Sequence, residues 1–323
     1  MAPSRQGVAA PAQDLVVSQE LPFTGERFIP GVQGEIWLEH WHRYHFAARW
    51  AAGKRVLDVA CGEGYGSALL AARAAHVTGV DVSEAAIAHA RAAYRERANL
   101  EFIQASCTGL PFPADSFDTV VSFETIEHIE AQERFLEQVA RVLKPDGVFV
   151  LSCPNKVEYS DKRDFANEFH VRELYREELA NLVASRFPEI AWYGQRPTFY
   201  DVIAPEGSAG AGELFEATLQ DPARAAPALS APLYFLLIAG RDRAAVESIA
   251  APVSVLADQD DFLYRDYAKV IREHRASAAR IAELEGKVAA DSAALAAKQG
   301  EIDRRGGLRW WLRLPLHRLG LLK

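Results

Sequence analysis

From residue 55 to residue 152 the chain alternates short β-branched runs with stretches of helical spacing. Arg55-Val-Leu-Asp-Val59, His76-Val-Thr-Gly-Val-Asp81 and residues 100–104, 117–123 and 148–152 are of strand length and apolar. Residues 67–75, 84–97 and 132–143 predict the intervening helices; Ser83 offers the second an N-cap, and Lys144-Pro-Asp-Gly147 stops the last. A helix over 171–186 and strands near 189–193 and 233–239 continue the series. Strands alternating with helices imply right-handed crossovers, so the expected fold is α/β: a doubly wound, mostly parallel, seven-stranded sheet covered on both faces.

The flanks differ in character. Residues 1–20 lack an unbroken apolar core and read as a mobile arm rather than a secretory signal. A catalytic-sized domain is expected over 21–260, with an aromatic and polar leader at 21–50. Its segment 204–231, rich in Ala, Gly and Pro, is an insertion or lid. Over 261–305, Ile281, Val288, Leu295 and Ile302 recur every seven residues, with Leu284 in the second seam. A coiled coil through 271–304, and with it a homo-oligomer, is one reading; a solitary Ala-rich helix packed on the domain is the other, since Gly286 and Gly300 each cost about 1 kcal/mol relative to Ala.

Among 323 residues, 49% are hydrophobic and 25% charged, as in ordinary globular proteins. The net charge of −8 hides an asymmetry: 306–323 carry +4 and the remainder −12. An acidic body without a basic stripe argues against a nucleic-acid partner. The tail mixes Trp310, Trp311, leucines and cations, a composition suited to an anionic membrane surface, with a dimer partner as the alternative. Pro315 and Gly320 are expected to interrupt any single helix there. Three scattered cysteines, Cys61, Cys107 and Cys153, form no CxxC pair and fit a reducing cytoplasm.

The chemistry concentrates at the carboxyl ends of the strands, where open parallel sheets bind ligands. Cys61-Gly-Glu-Gly-Tyr-Gly66 follows the first strand, and its glycines let backbone approach a ligand beside a helix N-terminus. Asp81, nineteen residues after Gly62, ends the second strand, where a carboxylate accepts both hydroxyls of a ribose. The G-x-G-x-G spacing and the acid Asp58 before the loop disfavour a pyrophosphate and suit a ligand with an amino group.

With Asp58–Gly66, Asp81, Leu110-Pro-Phe-Pro-Ala-Asp-Ser-Phe-Asp118 and Leu143-Lys-Pro-Asp-Gly147, the chain resembles the class I S-adenosylmethionine-dependent methyltransferases, Rossmann-like enzymes, over residues 55–187. The resemblance implies S-adenosyl-L-methionine as cofactor. Gly62 and Gly64 then line the methionine moiety with Ala60 nearby, Asp81 and Val82 meet the ribose, and Ser106 with Cys107 flank the adenine. Ser106 departs from the family's usual Asp. Phe123 offers backbone to the methionine amine, and Arg27, Arg43 and Tyr44 close over the cofactor from the leader. That leader, with Thr24-Gly-Glu-Arg-Phe-Ile-Pro30 and Glu39-His-Trp-His-Arg-Tyr44, resembles methyltransferases of bacterial surface-polysaccharide (O-antigen, lipopolysaccharide) assembly. The acceptor implied is a sugar, glycan or lipid-linked hydroxyl. A quinone-like or natural-product acceptor with a mainly apolar pocket, and an inactive scaffold of the same fold, are the alternatives.

Methyl transfer needs alignment and a base. Glu124 and His128, four apart after the fourth strand, are candidates expected to share a helical face. His170, in Asn167-Glu-Phe-His170, is the second candidate base; a capping role is open for either histidine. No metal is expected: His40, His42 and His45 cluster in sequence, but their spacing on a helix points the rings apart.

Overall fold

The computed structural model describes residues 34–197, 215–216, 224–225, 229, 231–249, 253–256, 258 and 261–321. The expected arm at 1–20, Arg27 and most of the 204–231 insertion lie outside the described residues. Two compact units are present, residues 1–259 and 260–323.

In the first unit α1 (Glu35–Ala51) precedes β1 (Arg55–Val59), α2 (Tyr65–Ala71), β2 (His76–Asp81), α3 (Glu84–Ala93), β3 (Leu100–Gln104), β4 (Phe117–Phe123), α4 (Gln132–Val142) and β5 (Leu143–Pro154). Then follow α5 (Lys156–Tyr159), α6 (Arg176–Ala184), β6 (Glu189–Gln195), β7 (Phe215–Glu216), β8 (Arg224–Ala225), β9 (Tyr234–Gly240) and α7 (Arg243–Val246). The seven-stranded sheet runs β3-β2-β1-β4-β5-β9-β6, with β9 antiparallel to both neighbours and the other described pairings parallel; β7 and β8 pair separately.

Strand alternation sorts the core into two layers. Val56, Val121, Val150 and Ile238 face α1, α2 and α3, where Tyr44, Trp50, Leu70 and Ile87 are buried. Leu57, Val120, Phe149 and Leu237 face α4 and α6, where Phe135, Val139, Leu179 and Val183 are buried. The strand order reverses between β1 and β4, so the crevice at their carboxyl ends is where a ligand is expected.

Several boundaries depart from the sequence reading, and the helix expected over 84–97 ends at Ala93. β5 takes in the Lys144–Gly147 turn: Leu143 pairs with Phe117, the register shifts, and the ladder resumes at Thr119 and Val148. The helix expected over 171–186 begins only at Arg176, because the N–H groups of Val171 and Arg172 both donate to the Glu127 carbonyl (2.8 and 2.9 Å). The helix expected over 67–75 occupies Tyr65–Ala71, entered from Gly64 in the left-handed region (φ 82°).

The second unit holds α8 (Phe262–Gly306) and α9 (Leu308–Arg318). No residue of α8 is buried, and Ile281, Val288, Leu295 and Ile302 are each more than half exposed. α9 runs through Pro315, against the expected interruption; a proline near the end removes one hydrogen bond, and the Leu319 N–H still closes on the Pro315 carbonyl (3.1 Å). No helix among the described residues is long and apolar enough to cross a membrane.

Candidate active site

A cavity of about 560 Å³ opens at the predicted crevice. Of the expected cofactor residues, Arg43, Tyr44, Ala60, Gly62, Asp81, Val82, Ser106, Cys107 and Phe123 line it, as do Glu124, His128 and His170. The loop after β1 shapes one end. Ala60 and Gly62 both take positive φ (61° and 54°), and nothing lies within 4 Å of a Cβ built on Gly62, so its backbone is open to close approach. Asp81 ties that loop to β2: its carboxylate accepts the N–H of Gly62 (2.9 Å) and of Ser83 (2.8 Å).

Asp58 and Gly64, also expected at the cofactor, do not line the cavity. Asp58 sits on the β1 face shared with Val56 and points into the α1–α2 layer, where it accepts the Ser67 hydroxyl (2.6 Å) and the Tyr44 hydroxyl (3.3 Å). Burial pushes its carboxyl up to about 7, partly opposed by these two hydrogen bonds. Gly64 serves packing: a Cβ there falls 2.5 Å from the Phe102 ring. Gly66 does the same for Tyr44, whose ring a Cβ would meet at 2.0 Å.

α1 carries the leader's contribution. Arg43 is fully buried; its Nε donates to Gln195 Oε1 (2.6 Å), its guanidinium lies 4.3 Å over the Tyr234 ring, and Nη2 is 3.8 Å from Glu124. Nη1 and Nη2 have no hydrogen-bond partner among the described residues. A buried guanidinium left short of acceptors at a cavity wall suits a ligand carboxylate. Glu39, absent from the predicted set, accepts the Tyr234 hydroxyl (3.0 Å), and burial raises its carboxyl to about 7. The three leader histidines separate as expected: His40 bonds Tyr65 (2.7 Å), His42 bonds Ser254 (2.9 Å) and His45 packs on Trp41.

The far end is built by the turn after β4 and the loop before α6. Glu124 does not share a helical face with His128. It takes φ 46°, accepts the Ser152 hydroxyl (2.6 Å) and faces Arg43, while a 3-10 turn, Ile126–His128, follows. Such a backbone on a non-glycine residue is costly and typical of functional sites. The His128 Nδ1 faces the Phe169 carbonyl (2.8 Å), which only accepts, so Nδ1 carries the proton and Nε2 is the basic nitrogen. His170 packs edge-on to His128 (4.9 Å) and donates from Nδ1 to Glu173 (2.5 Å), while Asn167 Nδ2 donates to its Nε2 (3.0 Å). Tyr159 stacks on the His170 ring.

Glu127 is another lining residue absent from the predicted set. It is 1% exposed and lines the cavity; burial, then the Glu124 charge, push its carboxyl well above the usual range. Neither of its carboxylate oxygens has a hydrogen-bond partner among the described residues. The available signal was a carboxylate inside an apolar turn, between Ile126 and Ile129.

Residues 57–151 match the family model of a methyltransferase domain. A probable S-adenosylmethionine-dependent methyltransferase of Mycobacterium tuberculosis is 36% identical over 232 residues, 69% of this chain and 81% of that protein. The chain belongs to the S-adenosylmethionine-dependent methyltransferases. A probable methyltransferase of the same kind from Mycolicibacterium smegmatis is 42% identical over 176 residues, covering 53% of this chain and 66% of that protein, just under two thirds of its length. A phthiotriol/phenolphthiotriol dimycocerosates methyltransferase of Mycobacterium leprae is 34% identical over 157 residues, 45% of this chain and 57% of that one. The cofactor of this methyltransferase is S-adenosylmethionine, and the cavity suits it: an approachable backbone at Gly62, the Asp81 carboxylate at the end of β2, and the Arg43 nitrogens short of acceptors.

Proposed function

We propose that this methyltransferase methylates a hydroxyl of a polar acceptor, a sugar or glycan of the kind used in bacterial envelope polysaccharide assembly. The observation that carries the reading is the lining of the far end of the cavity: Glu124, Glu127, His128, Tyr159, Asn167 and His170 present carboxylate, imidazole, phenol and amide where an apolar acceptor would need aliphatic walls. Vicinal hydroxyls match such a surface, with Tyr159 as a stacking face.

Bound S-adenosylmethionine supplies an electrophilic methyl group. On the protein side, Asp81 accepts the ribose hydroxyls, Ser106 and Cys107 border the adenine, and Arg43 pairs with the methionine carboxylate. The acceptor hydroxyl lies against the Glu127, His128 and His170 group, which eases loss of its proton. Alignment within the cavity provides the remainder.

The test is product analysis by mass spectrometry with nucleotide sugars, oligosaccharides and lipid-linked glycans against quinone-like and long-chain lipid acceptors. Methylation confined to the second group overturns the reading. That outcome favours an acceptor of the kind the M. leprae relative's name gives, a phthiotriol or phenolphthiotriol dimycocerosate. Two further elements are part of the proposal. The exposed heptad stripe of α8 joins a second copy of this chain, and the cationic, aromatic α9 meets an anionic membrane surface. Sedimentation of the full chain, and of a chain truncated before residue 306, with anionic liposomes checks the latter.

A further inference from the structure

The Glu127, His128 and His170 group has the makings of more than a base. One ligating atom from each side chain lies within 4.8 Å of those of the other two. Small side-chain rotations bring such a set around one ion at ordinary bonds of about 2.0–2.2 Å. Two imidazoles and one carboxylate are the donors of a first-row divalent ion rather than of magnesium, which prefers oxygen alone.

The second shell is already in place. Histidine ligands typically donate their other ring N–H to a carbonyl or carboxylate, and both do so here: His128 Nδ1 to the Phe169 carbonyl (2.8 Å) and His170 Nδ1 to Glu173 (2.5 Å). Glu173 is in turn fixed through its other oxygen by the Ser160 hydroxyl (2.5 Å). Nε2 is thereby the lone-pair nitrogen on each ring; on His170 it accepts from Asn167 Nδ2, a bond that an ion would replace. Independently, the Glu127 carboxylate is buried at the cavity wall with both oxygens lacking a hydrogen-bond partner among the described residues, which is costly unless a cation faces it.

We propose that Glu127, His128 and His170 form a site for one divalent ion of the zinc, cobalt or manganese class, with open positions that receive an acceptor oxygen. The acceptor's place rests on the function proposed above; ion binding does not. The site would polarise and orient the hydroxyl beside the methyl donor.

Cobalt(II) is the probe. Full-length protein stripped with a chelator and titrated with Co²⁺ is expected to bind one ion per chain, with visible d–d absorption of nitrogen and oxygen ligation. E127Q and H170Q weaken binding by at least about tenfold, and E173Q, which leaves all three ligands, weakens it by about 10- to 100-fold. Calorimetry with S-adenosylmethionine on the same samples verifies that each variant is folded. No stoichiometric cobalt in protein that still binds the cofactor overturns the proposal, leaving Glu127 a protonated acid. So does binding unchanged in all three variants. Neither result touches the acceptor class, which the product analysis decides separately.

Discussion

Asp58→Asn isolates the buried carboxyl behind the cofactor loop. Burial raises Asp58 from 3.8 to about 7, with Ser67 and Tyr44 offsetting part of the effect. In the unfolded chain the group ionises near its ordinary value of about 3.9. Below that pH both states are protonated. Between about pH 4 and 7 the unfolded chain releases its proton while the native state keeps it, so each unit of rising pH removes about 1.4 kcal/mol of stability. About one unit above pH 7 both states are ionised and the loss is complete, at roughly 4 kcal/mol in all. About 2 kcal/mol of this falls between pH 5 and 7, because the native carboxyl is itself half ionised at its own midpoint. The replacement side chain accepts the same two hydroxyls through its amide oxygen and does not titrate. Urea denaturation of both proteins from pH 4.5 to 8 therefore gives a stability difference, wild type minus variant, that falls by about 2 kcal/mol from pH 5 to 7 and levels towards pH 8. A difference constant with pH, or one growing as pH rises, refutes the claim that burial keeps this acid protonated.

Gly66→Ala sets a helix gain of about 1 kcal/mol against overpacking of about 1–3 kcal/mol on the Tyr44 ring, 2.0 Å from the new Cβ. Net destabilisation by denaturant is expected, and it should vanish in a Tyr44→Leu background. Arg43→Met keeps the buried volume but removes the guanidinium; calorimetry is expected to show S-adenosylmethionine binding roughly 10- to 100-fold more weakly, following the ~1.5–3 kcal/mol of a charged hydrogen bond. Gly286 and Gly300 have open space around them on an exposed helix, so G286A and G300A should each raise the melting stability of α8 by about 1 kcal/mol, read by circular dichroism of the full chain. If α8 self-associates, Val288→Asp lowers the oligomeric state by analytical ultracentrifugation; an unchanged mass in both proteins removes the coiled coil from the proposal.

The strand and helix alternation made most of the sheet legible, because fully buried parallel strands leave long apolar runs such as residues 117–123. That the loop after β1 and Asp81 meet at the crevice was also legible, because glycine and a carboxylate at fixed distances record backbone demands. What stayed hidden depends on facing and on distant segments. Asp58 was assigned to the ligand, but the two-residue period of β1 turns it into the α1–α2 layer. Spacing paired Glu124 with His128 on an assumed helical turn, whereas the positive φ of Glu124 sends it to Arg43 and leaves Glu127 in the interior. Glu39, Tyr159 and Tyr234 reach the same cavity from three separate elements, and no local pattern in a single sequence marks such convergence.

Residues 123–128 serve two masters. Phe123 borders the end expected to hold the cofactor, and Glu127 and His128 the end proposed for the acceptor, while the Glu127 carbonyl also holds the loop that carries His170. One continuous strand ending therefore links the two binding events, and any tightening of one by the other must be returned in equal measure. A substitution within 123–128 is therefore felt at both ends of the cavity, whereas one at Tyr159 or Asn167 acts first on His170.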